Sequence, residues 1–361
     1  MANISFSEAS GLNDSAYGKI QTPLRMVIQH ESDILTKRKD GVVDVLFINE
    51  TSKQFGETIV GGNEFDDFAP TPEGAGAESD TVQETFRAFI SHIQFMKEFS
   101  ITAQMIEDAV TGIASDARKR AENFARAYYK TRNRIASTIL QNATQTQMTV
   151  KGTVFDIAAP KHVKDSVALP LFHNAHKVGI DGDTQSNYFY TTALAADKLD
   201  TSYMEAILTD LVCQMRGMKD ENGDGLGYTA NWIILPYNLG GLESIVKKTV
   251  GSDGSLGNGY NDINLHSGKW NVFVDPFWRA EKNTMLIMSE DANKYLSGNM
   301  FFDRTPLEVE SFIDHHTRNN IWNGRARFGV GFGSYKHIIR LDCEGGSGKN
   351  ATALSTQAAT E

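Results

Sequence analysis

The stretch Thr102–Thr144 constrains the fold most. Met105, Ile106, Ala109, Val110, Ile113, Ala117, Ala121, Phe124, Ala125 and Tyr128 recur at helical spacing, and Ile135, Ala136, Ile139, Leu140 and Ala143 continue the series. No proline interrupts it, and Ser100 or Thr102 can cap its start. At about 1.5 Å per residue, about 40 residues of helix run roughly 60 Å. That exceeds the width of a small domain. The helix is therefore expected to serve as a spine, with Gly112 as the point where it can bend.

Charge is divided unevenly around this spine. Gln54–Phe86 carries Glu57, Glu64, Asp66, Asp67, Glu73, Glu78, Asp80 and Glu84, and no lysine or arginine. These eight acids account for most of the net charge of -10. Asp116–Arg134 carries Arg118, Lys119, Arg120, Arg126, Lys130, Arg132 and Arg134, opposed only by Asp116 and Glu122. Arg126, Lys130 and Arg134 are four residues apart and share a helix face. Two solvated surfaces would explain the pattern. The sharper expectation is that the acidic segment of one subunit lies on the basic helix of its neighbour. A second use of the basic face is contact with DNA phosphates.

The rest of the chain reads as mixed strand and helix. Residues 1–40 are polar, and Phe6, Leu12, Tyr17, Leu24, Met26, Val27 and Ile28 are too sparse for a core of their own. An arm that rests on another surface is expected. Val42–Asn49 and Thr85–Phe99 are strand candidates flanking a loop with Gly61, Gly62, Pro70, Pro72, Gly74 and Gly76. Together they predict an extended hairpin, which is marginal alone in water. Met148–Ile157 predicts paired strands, and Leu169–Asp183 is rich in turns. Thr201–Met218 predicts a helix, Asn231–Leu235 a buried strand closed by Pro236, and Leu239–Thr249 a short helix. Gly251–Gly259 reads as a flexible loop. Trp270–Val274, Thr284–Met288, Met300–Phe312 and Ile321–Leu341 predict strands, and Glu344–Glu361 a solvated tail. No βαβ alternation appears, so the class is α+β.

The chain's 361 residues suffice for one large or two medium folding units. No apolar run approaches the roughly 18 residues of a membrane span. Met1–Asn13 lacks signal-peptide architecture, so export is not expected and no membrane partner is implied. Cys213 and Cys343 are too few for a disulfide framework and fit a reducing compartment.

Motifs for chemistry fail on spacing. Asp220, Glu221, Asn222, Gly223, Asp224 and Gly225 imitate a calcium loop, but its twelfth position is Asn231 where a glutamate is required. His173 with His176, and Asp314 with His315 and His316, lack a third ligand at metal-site spacing. Gly345–Asn350 departs from a P-loop at its first glycine and ends Lys349-Asn350. No catalytic site, metal or cofactor is expected.

The order of elements resembles that of the HK97-fold major capsid proteins of tailed double-stranded-DNA bacteriophages, over roughly Leu24–Cys343. Leu171-Phe172-His173-Asn174-Ala175-His176 resembles the turn that follows their spine helix. Tyr228–Pro236 and Trp270–Pro276 resemble paired strands of their axial domain, and Trp322–Tyr335 resembles the strand returning to the peripheral domain. The resemblance implies an N-terminal arm (1–40), an extended loop (41–100) and a peripheral domain with the spine helix (101–180). It further implies an axial domain (181–291), return strands (292–343) and a flexible tail (344–361). Pentamers and hexamers would close into an icosahedral shell around genomic DNA. Its partners would be further copies of itself, a separate scaffolding protein, a portal and DNA bound without sequence specificity. Assembly would take place in the host cytoplasm, with the virion as destination. An encapsulin-like compartment shell is the alternative of the same fold, and a soluble enzyme is the alternative of another class.

Overall fold

The computed structural model describes residues 14–62, 70–76, 79, 84–102, 104, 113–178, 182–195, 198–252, 264–314, 316–343 and 350–354. The chain divides into two units. The first holds Met1–Gly56, Ser91–Ala136 and Phe301–Gly329, and the second holds Glu57–Ile90, Ser137–Met300 and Val330–Glu361.

The described part of the expected arm is a helix, Asp14–Arg38. Leu24, Val27, Ile28 and Leu35 share its buried face. The first three join a core with Ala117, Ala121, Phe124, Ala125 and Trp322. The arm thus rests on the long helix of its own chain. Val42–Asn49 is not the strand its β-branched residues suggest. Val42–Leu46 is one helical turn, and the strand is confined to Ile48–Thr51 (β1). The cause lies far away in sequence. Val43 N–H donates to Asn133 Oδ1 at 3.0 Å, and Gly41 sits so close to Asn133 and Tyr129 that a Cβ there would clash. Such tertiary ties override β-propensity.

The hairpin's strands are therefore Gly56–Gly62 (β2) and Glu84–Ser91 (β3). The expected strand Thr85–Phe99 is two, because β3 ends before His92 and Ile93–Ile101 (β4) enters a different sheet. The long helix is Ile113–Gln141, about 43 Å of rise. Residues 105–112, with Gly112, lie outside the described residues.

Gln147–Val150 (β5) pairs with Thr153–Asp156 (β6) as expected. Four short strands follow: Lys161–His162 (β7), His176–Val178 (β8), Asp183–Gln185 (β9) and Tyr188–Thr191 (β10). Helix Thr201–Arg216 is capped by Asp200, whose carboxylate accepts from Thr201 N–H. Trp232–Pro236 (β11) ends on its proline, and helix Gly240–Gly251 follows. Residues 253–263, which hold most of the expected Gly251–Gly259 loop, lie outside the described residues. Next come Asn271–Asp275 (β12), Thr284–Met288 (β13), helix Glu290–Tyr295 and Asn299–Ile313 (β14). Ile321–Leu341 also splits in two, Asn320–Phe332 (β15) and Ile338–Cys343 (β16), which enter different sheets.

In the first unit the sheet order is β1-β14-β15-β4. β15 and β4 are antiparallel, with Trp322 opposite Phe99. Trp322 is fully buried and stacks on Phe99 at 5.1 Å, and Phe99 meets Phe124 of the long helix at 5.2 Å. Gly324 lets Phe124 approach, since a Cβ there would lie 2.5 Å from its ring.

The second unit is built on a mixed sheet, β12-β11-β13-β16-β10-β17, where β17 is Thr352–Ala353. Ile233, Leu235, Met285, Ile287, Ile339 and Leu341 form one core with Leu208, Leu211 and Met215 of one helix and Leu242 and Val246 of another. The described part of the expected solvated tail is largely exposed but is tied to the sheet. β17 pairs in parallel with β10, and Leu354 is buried in that core. Deleting residues 350–361 is expected to cost about 1.5–3 kcal/mol, the value of one buried leucine. Urea unfolding measures it, and an unchanged midpoint would show the strand to be dispensable.

Candidate functional site

The expected site was a surface and not a pocket. Of the acidic residues, Glu57, Glu73 and Glu84 are described. Glu64, Asp66, Asp67, Glu78 and Asp80 lie outside the described residues. Glu73 and Glu84 are exposed, and Glu84 stands 3.9 Å from Arg87. Gly61 permits the hairpin to close, because Phe86 occupies the space a Cβ would need.

On the long helix, Arg118, Lys119, Arg120, Arg126, Lys130 and Arg134 are exposed. Arg118 and Arg126 have carboxylate partners in the same chain. Arg118 pairs with Glu122 at 3.0 Å, and Arg126 with Glu31 of the N-terminal helix at 2.8 Å. The hydrogen bond that Arg126 donates to the Glu31 carboxylate raises the Arg126 pKa. Arg132 points inward. Its side chain is 11% exposed, bonds Asp303 at 2.8 Å and lies 4.7 Å from the Phe301 ring centre. Burial raises the Asp303 pKa despite that partner. Arg132 thus serves its own unit's core, whereas Lys119, Arg120, Lys130 and Arg134 remain at the surface. Glu31 was the partner the sequence reading missed. Its position on the arm's helix, one turn from the buried Ile28, is the only local signal.

A second surface was not anticipated. β2, β3 and β7 form a three-stranded sheet. Phe86 stands opposite His162, and Arg87 opposite Lys161. Residues two apart share a face, so Arg87, Phe89, Lys161 and Val163 lie together. Gly61 packs on Phe86, which puts Val60 on the outer face with them. Val60, Phe89 and Val163 are 50%, 49% and 66% exposed. This thin sheet thus presents an apolar face with two basic residues.

The described residues of the chemical motifs make hydrogen bonds within the fold. Asp220 Oδ1 accepts from Asn222 and Asp224 N–H at 2.9 and 2.8 Å, an Asx turn, and Glu221 is engaged by Lys336. His176 donates Nε2–H to the Leu171 carbonyl at 3.0 Å and stacks on Tyr335 at 3.9 Å. His173 Nδ1 accepts from Ala175 N–H. Asp314 caps the turn before β15 through His316 N–H and Thr317, while His315 lies outside the described residues. So do residues 344–349. Among the described residues no helix is long and apolar enough to cross a membrane.

No family model matches the sequence, and no curated protein matches it. Among solved structures the chain is similar to the capsid of cyanophage P-SCSP1u, at 12% identity over 84% of this chain and 88% of that one, with a TM-score of 0.46. It is similar to the capsid of Myoviridae phage XM1 at 13% identity, over 85% and 91% of the two chains, with a TM-score of 0.47. It is also similar to a virus-like particle from Pyrococcus furiosus at 8% identity, over 89% and 98%, with a TM-score of 0.45.

Proposed function

We propose that this chain is a shell subunit that assembles into pentamers and hexamers of a closed capsid enclosing phage DNA. The observation that carries the reading is the outer face of the β2-β3-β7 sheet. Three large apolar side chains stand about half exposed or more on a sheet three strands wide. Contiguous apolar exposure of this kind marks a surface meant for a partner, and a repeating subunit supplies one at every position of a shell. On this reading residues 181–291 surround the capsomer centre, and the long helix with the return strands forms the peripheral part. Scaffolding protein, portal and DNA are the further partners, and the virion is the destination.

The charge division supplies register. The acidic hairpin of one copy meets the exposed bases of the next. Each exposed pair contributes only about 0–1 kcal/mol, but repetition around a shell suppresses wrong pairings. The test uses Lys119→Glu, Arg120→Glu and Lys130→Glu together, which spares the Arg126–Glu31 contact. Negative-stain microscopy of purified protein is expected to show closed shells or capsomer rings for the parent and folded, unassembled protein for the variant. Normal shells from the variant would refute the charge pairing. Normal shells with less nuclease-resistant DNA would assign the bases to DNA instead. A parent that stays monomeric under every assembly condition would refute the shell reading itself.

A further inference from the structure

The root of the hairpin lines a small, partly open cavity of about 20 Å³ within the second unit, bordered by His162, Lys177, Glu221, Ser334, Tyr335 and Lys336 among others. Its polar groups do not balance. His162 is 6% exposed. Its Nδ1 accepts from Lys164 N–H at 3.1 Å, so the neutral ring carries its proton on Nε2. That Nε2–H is buried and has no partner among the described residues. The Lys336 side chain is 6% exposed, and Glu221 takes one of its N–H groups at 2.5 Å. An ammonium has three N–H donors, so two more need acceptors. The Ser334 hydroxyl oxygen, which accepts from Lys336 N–H at 3.1 Å, keeps a second lone pair.

We infer that this cavity binds one ordered water molecule, which accepts from His162 Nε2–H and the Lys336 ammonium and donates to Glu221 and Ser334. Size and charge both select water. A cavity needs about 10–15 Å³ to hold one, and the space is too small for a polyatomic ligand. The surrounding charges already cancel, because Lys336 faces Glu221 and Lys177 faces Asp165 at 2.9 Å. A halide would therefore add an uncompensated buried charge, which is costly. Buried waters with about three hydrogen bonds are part of a structure and costly to remove. This one ties β7, and through the Phe86–His162 pairing the hairpin strand β3, to the segment before β16.

The site does not depend on the shell reading, and neither does its test. A map of the protein at about 2 Å or better, crystal or shell, is expected to show one peak at hydrogen-bonding distance from His162 Nε2 and Lys336 Nζ, about 2.7–3.2 Å. Replacing chloride by bromide should leave the peak without anomalous signal. His162→Gln, whose amide can present a donor near the same place, should keep the peak, and His162→Leu should lose it. No peak in the parent protein overturns the inference, as does an anomalous bromide peak there. A peak of full height in the leucine variant would remove His162 from the site and overturn the bridge.

Discussion

Replacing Lys336 by methionine should destabilise the protein by about 3–5 kcal/mol, the cost of removing one partner of a buried ion pair. The Lys336 and Glu221 side chains are 6% and 5% exposed, and 2.5 Å separates their charged atoms. Bulk solvent is largely kept from the carboxylate that remains. The pair itself is expected to contribute far less than this. Its attraction is largely offset by the desolvation of both groups. Lys336→Met combined with Glu221→Leu should therefore recover most of the loss, by replacing both charges with apolar side chains. Urea midpoints at unchanged m-value give both quantities. A single variant that loses under about 1 kcal/mol would mean that bulk solvent reaches the carboxylate, against the burial seen here. A double variant no better than the single would show that the pair is a net source of stability.

Those two residues are 115 positions apart, and nothing local in the sequence joins them. The same limit explains the other misreadings. Long periodic elements were legible: the core of the spine helix, helix Thr201–Arg216, and the strands β11, β12 and β13 all appear within a few residues of expectation. Each carries its burial pattern in its own residues. The Val42–Leu46 turn is set by Asn133, some 90 residues on, so its β-branched residues mislead. The N-terminal helix was legible in principle. Leu24, Val27, Ile28 and Leu35 have helical spacing, but Pro23 within the segment and polar neighbours conceal it. Runs such as Thr85–Phe99 and Ile321–Leu341 read as single strands because composition does not change where the chain passes between sheets. His92 and the Gly333–His337 segment mark those passages. The charge division was fully legible in sequence. That Arg132 turns inward to Asp303 was not, because the partner is 171 residues away.

Acidification from pH 7 to pH 5 should lower the stability of the chain by up to about 4 kcal/mol, through two buried histidines. Burial lowers the pKa of His176 to about 3 and that of His337 to about 3. His337 is fully buried, and its Nε2 donates to Asn299 Oδ1 at 2.9 Å. His176 is held by the Leu171 carbonyl and the Tyr335 ring. In the unfolded chain both titrate near 6.5. The folded form therefore binds fewer protons than the unfolded form between pH 6.5 and about 3. Stability is full above 6.5 and falls as pH drops through that window, by about 1.4 kcal/mol per unit for each histidine. By pH 5 this is about 2 kcal/mol each. Asp275 and Asp303 act in the opposite sense. Burial raises their pKa values, so the folded chain takes up those protons first and gains some stability as the carboxylates titrate. Urea midpoints at half-unit steps from pH 7.5 to pH 5 should trace the decline, and His176→Gln should reduce its slope by about half. A flat profile over that range would mean that both rings accept protons inside the fold, which their burial opposes.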